Sequence, residues 1–329
     1  MEQKMRLIDA AVDLYHDKPW DLFDAHEVFE LDKVPFAQHV YCLFTMNSGR
    51  KCIRFYHGVE AFYDISDDFK PMDNVRVDLF HRYEHDFYEV IFDDPAHLSD
   101  TYREAGQQLG LSDREIPVML SQKRRHFISG LNEMDEERLG VLIRELHDAM
   151  NLYLKEGHEL DFNKRRFVYD VKKKSSSSKK TAYRPRKYDV VEIDDDELMQ
   201  QLSELEVIDE IWEFDLQVTD SIVFASEGDL SSPVYLAALA NVLNQQMLAA
   251  VPFEPFGDLQ FQCIDLMVEA FMQRGLPKGL VVRHPLVGSS MMDLTRKLNI
   301  NLVPVEEFEM LDDFVDGLDQ FMNQNKEIN

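Results

Sequence analysis

The chain has 329 residues, 45% of them hydrophobic, with 62 acids against 35 Lys and Arg and a formal net charge of −27. That length favours two domains, and the acid excess repels a phosphate backbone, which disfavours general nucleic-acid binding. No run of about 18 apolar residues is present, so no membrane span is expected. Met1–Lys18 is amphipathic and charged, unlike a secretory leader, and a cytoplasmic location is the expectation.

The charge is unevenly spread. Residues 1–170 hold 34 acids and 21 Lys or Arg, residues 171–188 hold eight Lys or Arg and no acid, and residues 189–329 hold 28 acids and six Lys or Arg. The middle run, VKKKSSSSKKTAYRPRK from Val171, has four consecutive serines and no apolar periodicity. Its composition predicts a flexible basic tether, with a sharper alternative: an arm that touches nucleic acid or the protein's own acidic faces. The expected organisation is therefore an α+β domain over 1–170, a linker over 171–188 and an acidic α/β domain over 189–329. Cys42, Cys52 and Cys263 lack metal-ligand spacing and read as reduced core thiols, although Cys42 and Cys52 could face each other across a hairpin.

In the first part, Leu7, Ile8, Ala11, Val12, Leu14 and Tyr15 have helical spacing, ended by Lys18-Pro19. Strand-like runs follow at Val28–Asp32, His39–Met46 and Lys51–Tyr56, with Asn47-Ser48-Gly49 as a hairpin turn between the last two. Short helices are expected over Val59–Tyr63 and Val75–Tyr83, a strand over Phe87–Phe92, and a helix over Ala96–Leu109 closed by Gly110. Pro117–Phe127 reads as irregular. A long helix runs from Asp135, as its N-cap, to about Lys155. The pattern predicts an antiparallel sheet with helices around it. His81-Arg82-Tyr83-Glu84-His85 matches the H-x-x-E-H zinc-hydrolase pattern, but it straddles the expected helix end, and no metal site is assigned to it.

In the acidic part, Asp194-Asp195-Asp196 can cap a helix over Glu197–Leu205. Ile211–Val218 alternates as a strand, and Ser221–Ala225 reads as another. Propensity favours a helix over Pro233–Val251, yet Asn241–Asn244 could be a turn between two strands. Then come a helix over Leu259–Arg274 stopped by Gly275, a strand over Gly279–Arg283, a helix over Ser289–Leu298 entered through Gly288, a strand over Ile300–Val305 and a helix over Leu311–Asn323. Alternation of this kind implies parallel pairing.

Pro19-Trp20, His57-Gly58-Val59-Glu60-Ala61, Phe92-Asp93-Asp94-Pro95, Leu109-Gly110-Leu111 and Ile116-Pro117 resemble a bacterial N-terminal domain of unknown function. Trp212-Glu213-Phe214-Asp215, Leu276-Pro277-Lys278-Gly279-Leu280-Val281-Val282-Arg283 and Asn299-Ile300-Asn301-Leu302-Val303-Pro304-Val305 resemble a second such domain. Neither resemblance implies an activity. The second part also resembles a distant ribonuclease-H-like layout with a mixed sheet, which would make Pro233–Val251 a hairpin. Active members of that layout hold divalent metals with an Asp on the first strand and an acid at the end of the fourth. The matching places here look like Asn241 and Arg283-His284, which implies a non-catalytic relative; Asp220, Glu227 and Asp229 lie on the wrong segments for that template.

One ligand candidate remains. Gly288-Ser289-Ser290 opens an expected helix, whose backbone amides could receive an anion beside Arg283 and His284. The ligand-binding candidates are therefore Arg283, His284 and Ser289, with no catalytic residue, metal or cofactor assigned. The leading expectation is a binding protein that engages a basic protein surface and has no catalysis of its own. One alternative is a metal-dependent phosphoester hydrolase, in which Asp215, Asp220 or Asp229 would cluster with Asp265; another is a nucleic-acid mimic.

Overall fold

The computed structural model describes every residue except 1, 48, 70–72, 93–97, 113–114, 157–159, 182–185, 225–230, 309 and 327–329. The elements run α1 (Glu2–His16), α2 (Pro19–Leu22), β1 (Phe29–Val34), β2 (Ala37–Asn47), β3 (Arg50–Tyr56), α3 (Ala61–Phe69), α4 (Val75–Tyr83), β4 (Phe87–Ile91), α5 (Asp100–Gln108), β5 (Val118–Gln122), β6 (Ser129–Gly130), α6 (Glu133–Glu156), β7 (Arg165–Asp170) and β8 (Ser175–Lys180). They continue with α7 (Asp196–Ser203), β9 (Val207–Phe224), β10 (Ser232–Asn241), β11 (Gln246–Phe253), α8 (Leu259–Arg274), β12 (Leu276–Val282), α9 (Pro285–Lys297), β13 (Asn301–Pro304) and α10 (Leu311–Lys326). The chain divides into two compact units: Met1–Pro71 with Arg82–Pro185, and Met72–His81 with Arg186–Asn329. Both mix helix and sheet, and no described helix is long and apolar enough to cross a membrane.

The first unit is an eight-stranded sheet in the order β6-β5-β4-β3-β2-β1-β7-β8. Alternation along its strands sends Phe29, Phe44, Ile53 and Val90 to one face, where α1 and α6 cover them with Leu7, Ile8, Leu142 and Leu146. The other face gathers Tyr41, Leu43, Tyr56 and Phe87 against Ala61 and Ile65 of α3. The Trp20 indole donates to the carbonyls of Thr45 (3.1 Å) and Cys52 (3.2 Å), tying α2 to the β2–β3 hairpin. The sheet is mixed where an antiparallel one was expected, because the 24-residue α6 returns the chain so that β7 enters parallel to β1, Phe29 opposite Phe167. The stretch expected to be irregular contains β5, which pairs with β4 at Val90↔Met119 and buries Val118 and Met119. Asp135 lies inside the first turn of α6; the residue that caps it is Asn132, whose Oδ1 accepts from the Asp135 N–H at 2.9 Å. The β2–β3 register sets Cys42 opposite Phe55 and Cys52 opposite Thr45, so the two thiols do not face each other; all three cysteines are free and buried.

The largest correction concerns the Ser/Lys run. Ser175–Lys180 is not a flexible tether but strand β8, antiparallel to β7 from Asp170↔Ser175 to Arg165↔Lys180. Composition predicted disorder because the run has no apolar face to bury. What orders it is polar: the Asp170 carboxylate accepts from the Lys172 (3.1 Å) and Lys173 (3.0 Å) N–H groups in the turn. Lys174 reaches Glu145 at 2.6 Å and Asp148 at 3.2 Å on α6, Ser176 donates to Glu156 at 2.5 Å, and Lys179 reaches the buried Glu30 at 2.6 Å. The run therefore contacts acidic groups of its own unit, one of the alternatives the sequence left open.

In the second unit five strands lie in the order β11-β10-β9-β12-β13. β9, β10 and β11 are successive antiparallel partners, whereas β12 is parallel to β9 and β13 parallel to β12. The segment for which propensity preferred a helix is thus a hairpin: every residue of β10 from Ser232 to Asn241 is buried, and burial on both faces overrides the helix preference of its Ala and Leu residues. The two expected strands at 211–225 are one, β9. Helix α9 starts at Pro285 and not at Ser289, because His284 supplies the N-cap and Pro285 the first helical position. Asp195 caps α7, accepting from the Leu198 N–H at 2.9 Å.

Gly275, the stop after α8, has φ +100°, and a Cβ there would meet the Glu206 carbonyl oxygen at 2.6 Å. A Gly275→Ala variant should therefore lose more than about 1 kcal/mol of stability, whereas Gly49→Ala, with φ +81° but open space around it, meets only backbone strain. Urea denaturation of the two variants measures the difference, and equal midpoints would contradict the steric account.

Candidate functional site

Residues 212–219 of strand β9 carry the site because they are buried on both sides while only half of them are apolar. Trp212, Phe214, Leu216 and Val218 alternate with Glu213, Asp215, Gln217 and Thr219, and none of the eight exceeds 7% exposure. The apolar set packs under α8, with Trp212 and Phe271 ring centroids 5.9 Å apart. The polar set needs partners, since an unmatched buried charge is costly. Glu213 finds its partners at the start of α10, where its Oε2 accepts from the N–H groups of Met310 (3.2 Å) and Leu311 (3.1 Å), a carboxylate at the positive end of a helix.

Asp215 is paired with Arg283, which follows the end of β12. Both side chains are 2% exposed. The Arg283 guanidinium also donates from Nη1 to both carboxylate oxygens of Asp312 (2.8 and 2.9 Å), at the first turn of α10, and lies 4.7 Å from the Phe308 ring. Burial pushes the Asp215 carboxyl up to about 6 despite the guanidinium, and Gln217 Nε2 donates to it at 3.0 Å. Asp312 is shared with a second guanidinium. Arg76 of α4 lies with its Nε 3.2 Å from Asp312, donates to Gln217 Oε1 at 2.9 Å and pairs with Asp316. The result is a chain of charges, Asp215–Arg283–Asp312–Arg76–Asp316, beside the middle of β9 and the carboxyl end of β12.

His284 adjoins this chain. Its Nδ1 accepts from the Leu286 N–H at 3.1 Å, which places the ring proton on Nε2, an atom buried without a hydrogen-bond partner. The ring lies 4.2 Å from Phe80, 5.6 Å from His81 and 5.9 Å from Tyr188. Burial, with the charges of His81 and Arg283, holds the imidazole well below its usual range, so it is neutral.

The structure brings the three sequence candidates to one strand–helix junction but gives them other work than receiving an anion. Arg283 is held between two carboxylates, and His284 caps the helix. Ser289 sits half-buried in the second turn of α9, past the helix opening, where the Gly288 N–H already donates to the His284 carbonyl. Asn241 is not on the first strand; it ends β10, and its Oδ1 accepts from the Leu243 N–H at 3.0 Å in the turn. Asp215, offered by the sequence only as a member of an acid cluster with Asp265, lies on β9 and pairs instead with Arg283. Asp265 is exposed on α8. Glu227 and Asp229 lie outside the described residues, as does the side chain of Asp220.

In the H-x-x-E-H stretch, α4 ends at Tyr83, so Glu84 and His85 are beyond the helix and cannot share its face with His81. Glu84 accepts from Arg125 at 2.7 Å, and His85 lies 3.6 Å from Asp67 and 3.7 Å from Asp68. A different trio has ligand atoms close enough to hold a metal: Glu30, Asp32 and His39, on adjacent strands β1 and β2. His39 Nδ1 is 3.1 Å from both carboxylates. Cations already meet that charge, however: Lys179 at 2.6 Å and Arg166 on Glu30, and Lys33 at 3.5 Å on Asp32. Burial acts to raise the Glu30 carboxyl, but Lys179 and Arg166 overcome it and hold the group below its usual range.

A family model for a domain of unknown function, DUF6930, matches residues 198–319, from within α7 into α10. No curated protein matches the chain.

The depressed histidine predicts an acid sensitivity. An unfolded His284 takes up a proton below about pH 6.5 that the folded chain refuses, so its contribution to stability is lost as pH falls, with a limiting slope of about 1.4 kcal/mol per pH unit. Asp215 acts in the opposite sense, because its raised pKa lets the folded chain bind a proton first between about pH 6 and its unfolded value. The difference between wild type and His284→Asn, which keeps a capping acceptor, isolates the histidine. Chemical denaturation from pH 7.5 to 5 should show the wild type losing stability relative to the variant below pH 6.5, and parallel curves would count against a buried neutral imidazole.

Proposed function

We propose that the chain is a binding protein without catalysis of its own, with its second unit built on a ribonuclease-H-like layout. The strand order supports the layout: three successive antiparallel strands, β9, β10 and β11, then α8, β12, α9, β13 and α10, with β12 parallel to β9 on the side away from β10. In catalysts of that layout an acid on the first strand and an acid at the end of the fourth hold divalent ions. Here the first of these places holds Asp215 and the second Arg283. The observation that carries the reading is the Arg283 guanidinium, bonded to Asp215 and Asp312 together where a bridging cation would sit. A divalent ion would have to enter beside a fixed positive charge that is almost wholly buried.

The partner we infer is a protein with a basic surface. The second unit holds 30 acids against nine Lys and Arg, a net charge of −21, while the first unit carries only −6 of the total. Such a field accelerates encounter with a cationic partner and makes the complex salt-sensitive.

Two measurements test the reading. Purified chain with Mg²⁺ or Mn²⁺ should hydrolyse no single-stranded or double-stranded nucleic acid and no phosphodiester model substrate. Metal-dependent turnover abolished by Asp215→Asn would overturn the non-catalytic assignment. Affinity capture at low salt should retain a basic protein in stoichiometric amount and release it on the order of a few hundred millimolar salt, within the range where surface charges are screened.

A further inference from the structure

Residues 73–81 are far in sequence from the rest of the second unit, yet they cover the carboxyl end of β12 and the middle of β9 beside it; strand carboxyl ends are where open α/β sheets take ligands. Two side chains one helical turn apart make the contact. Arg76 enters the acidic end of the charge chain, with Gln217 at 2.9 Å, Asp312 at 3.2 Å and Asp316 also bound. Phe80, fully buried, lies 5.5 Å from the Tyr235 ring and 4.2 Å from that of His284. Asn74 completes the attachment: its side-chain amide donates to the Glu306 carbonyl at 2.8 Å while its oxygen accepts from the N–H groups of Arg76 and Val77.

The contact differs from an ordinary core in two respects. Its anchor is a charge-assisted arginine contact, the kind of group that acts as a hot spot in protein recognition. Next to it, three nearly buried polar atoms have no hydrogen-bond partner: His284 Nε2, Asp215 Oδ1 and Arg283 Nε. A contact made only for stability would be expected to leave few such atoms.

We propose that the carboxyl end of β12, with the middle of β9 beside it, forms a recognition site for a partner helix bearing an arginine and an aromatic side chain at i and i+4, and that residues 73–81 occupy the site in cis. This rests on the reading of the second unit as a binding module and names the feature of the basic partner that it reads: the arginine meets Gln217, Asp312 and Asp316, and the aromatic ring meets Tyr235 and His284. A tethered segment acts at a millimolar effective concentration. The partner therefore competes with α4, and the site is available in proportion to its release.

The test uses the full chain and a fluorescent, helix-stabilised peptide with the sequence of residues 73–83. Arg76→Ala/Phe80→Ala weakens the internal occupant and should bind the probe at least tenfold more tightly than wild type. A probe with its arginine replaced by alanine should return binding to the wild-type level, and the addition to the double variant of Asp316→Asn, at an exposed partner of the arginine outside the ion triad, should weaken the gain. The probe should also raise the melting temperature of the double variant and leave that of the wild type unchanged. If the double variant does not fold, Arg76→Ala alone, which keeps Phe80, carries the same comparison. A folded variant that binds the probe no better than wild type, or binds the arginine-free probe equally well, would overturn the proposal. Capture of a basic partner by that same variant would then leave the binding-module reading standing, whereas metal-dependent hydrolysis would remove that reading whatever the probe does.

Discussion

The second unit depends on one ion triad, Asp215–Arg283–Asp312, whose first two members are buried while Asp312 is a quarter exposed. It joins three elements that meet nowhere in sequence: the middle of β9, the end of β12 and the first turn of α10. Taking these charges out of water costs several kcal/mol per ion, and their mutual attraction returns that only when every partner is present. The triad is thus better understood as a specifier than as a source of stability. Removing Arg283 leaves the buried Asp215 without its cation, at about 3–5 kcal/mol for breaking a buried pair, so the elements are held to one arrangement. Glu213 reinforces it by seating the amides of Met310 and Leu311 two residues along the same strand face.

The same triad explains why the site chemistry was only partly legible. Local signals were read well: α8 runs from Leu259 to Arg274 and stops at Gly275 as its pattern implied, because an apolar period and a positive-φ glycine are written in adjacent residues. The hairpin at 232–253 was ambiguous because its Ala and Leu residues favour helix in isolation, and only sheet neighbours on both sides decide against it. The pairing of Asp215 with Arg283 was not legible because the two lie 68 residues apart, and Arg76 was invisible as a site residue because it meets Gln217 across 141 positions. Periodicity carries no information about such pairings. Arg283 and His284 stood out as a basic pair before a helix, but the carboxylates that hold Arg283 lie 29 and 68 residues away and leave no mark in the adjacent sequence.

In the first unit, sequence composition failed for a related reason. The rule that a Ser/Lys run stays disordered considers what the run can bury by itself. It does not count acids elsewhere that are already ordered and lack cations. Glu30 is such a group, fully buried on β1, and Arg166 and Lys179 from the β7–β8 hairpin converge on it. The basic run and the buried acid each look unfavourable alone and are compatible only together.

That hairpin also determines how the large sheet ends. An outer strand offers unpaired amides and carbonyls to any extended chain that passes, the usual seed of aggregation. Strand β8 forms one margin of the eight-stranded sheet, and it is built from four serines and two lysines, with no apolar side chain to reward an added strand. A chain that stacked there would have to strip water from Lys180 and crowd Lys172 and Lys173, all exposed in the adjoining turn and strand end. The run that resembles a tether thus insulates the sheet, keeping a broad β-surface from growing by one more strand.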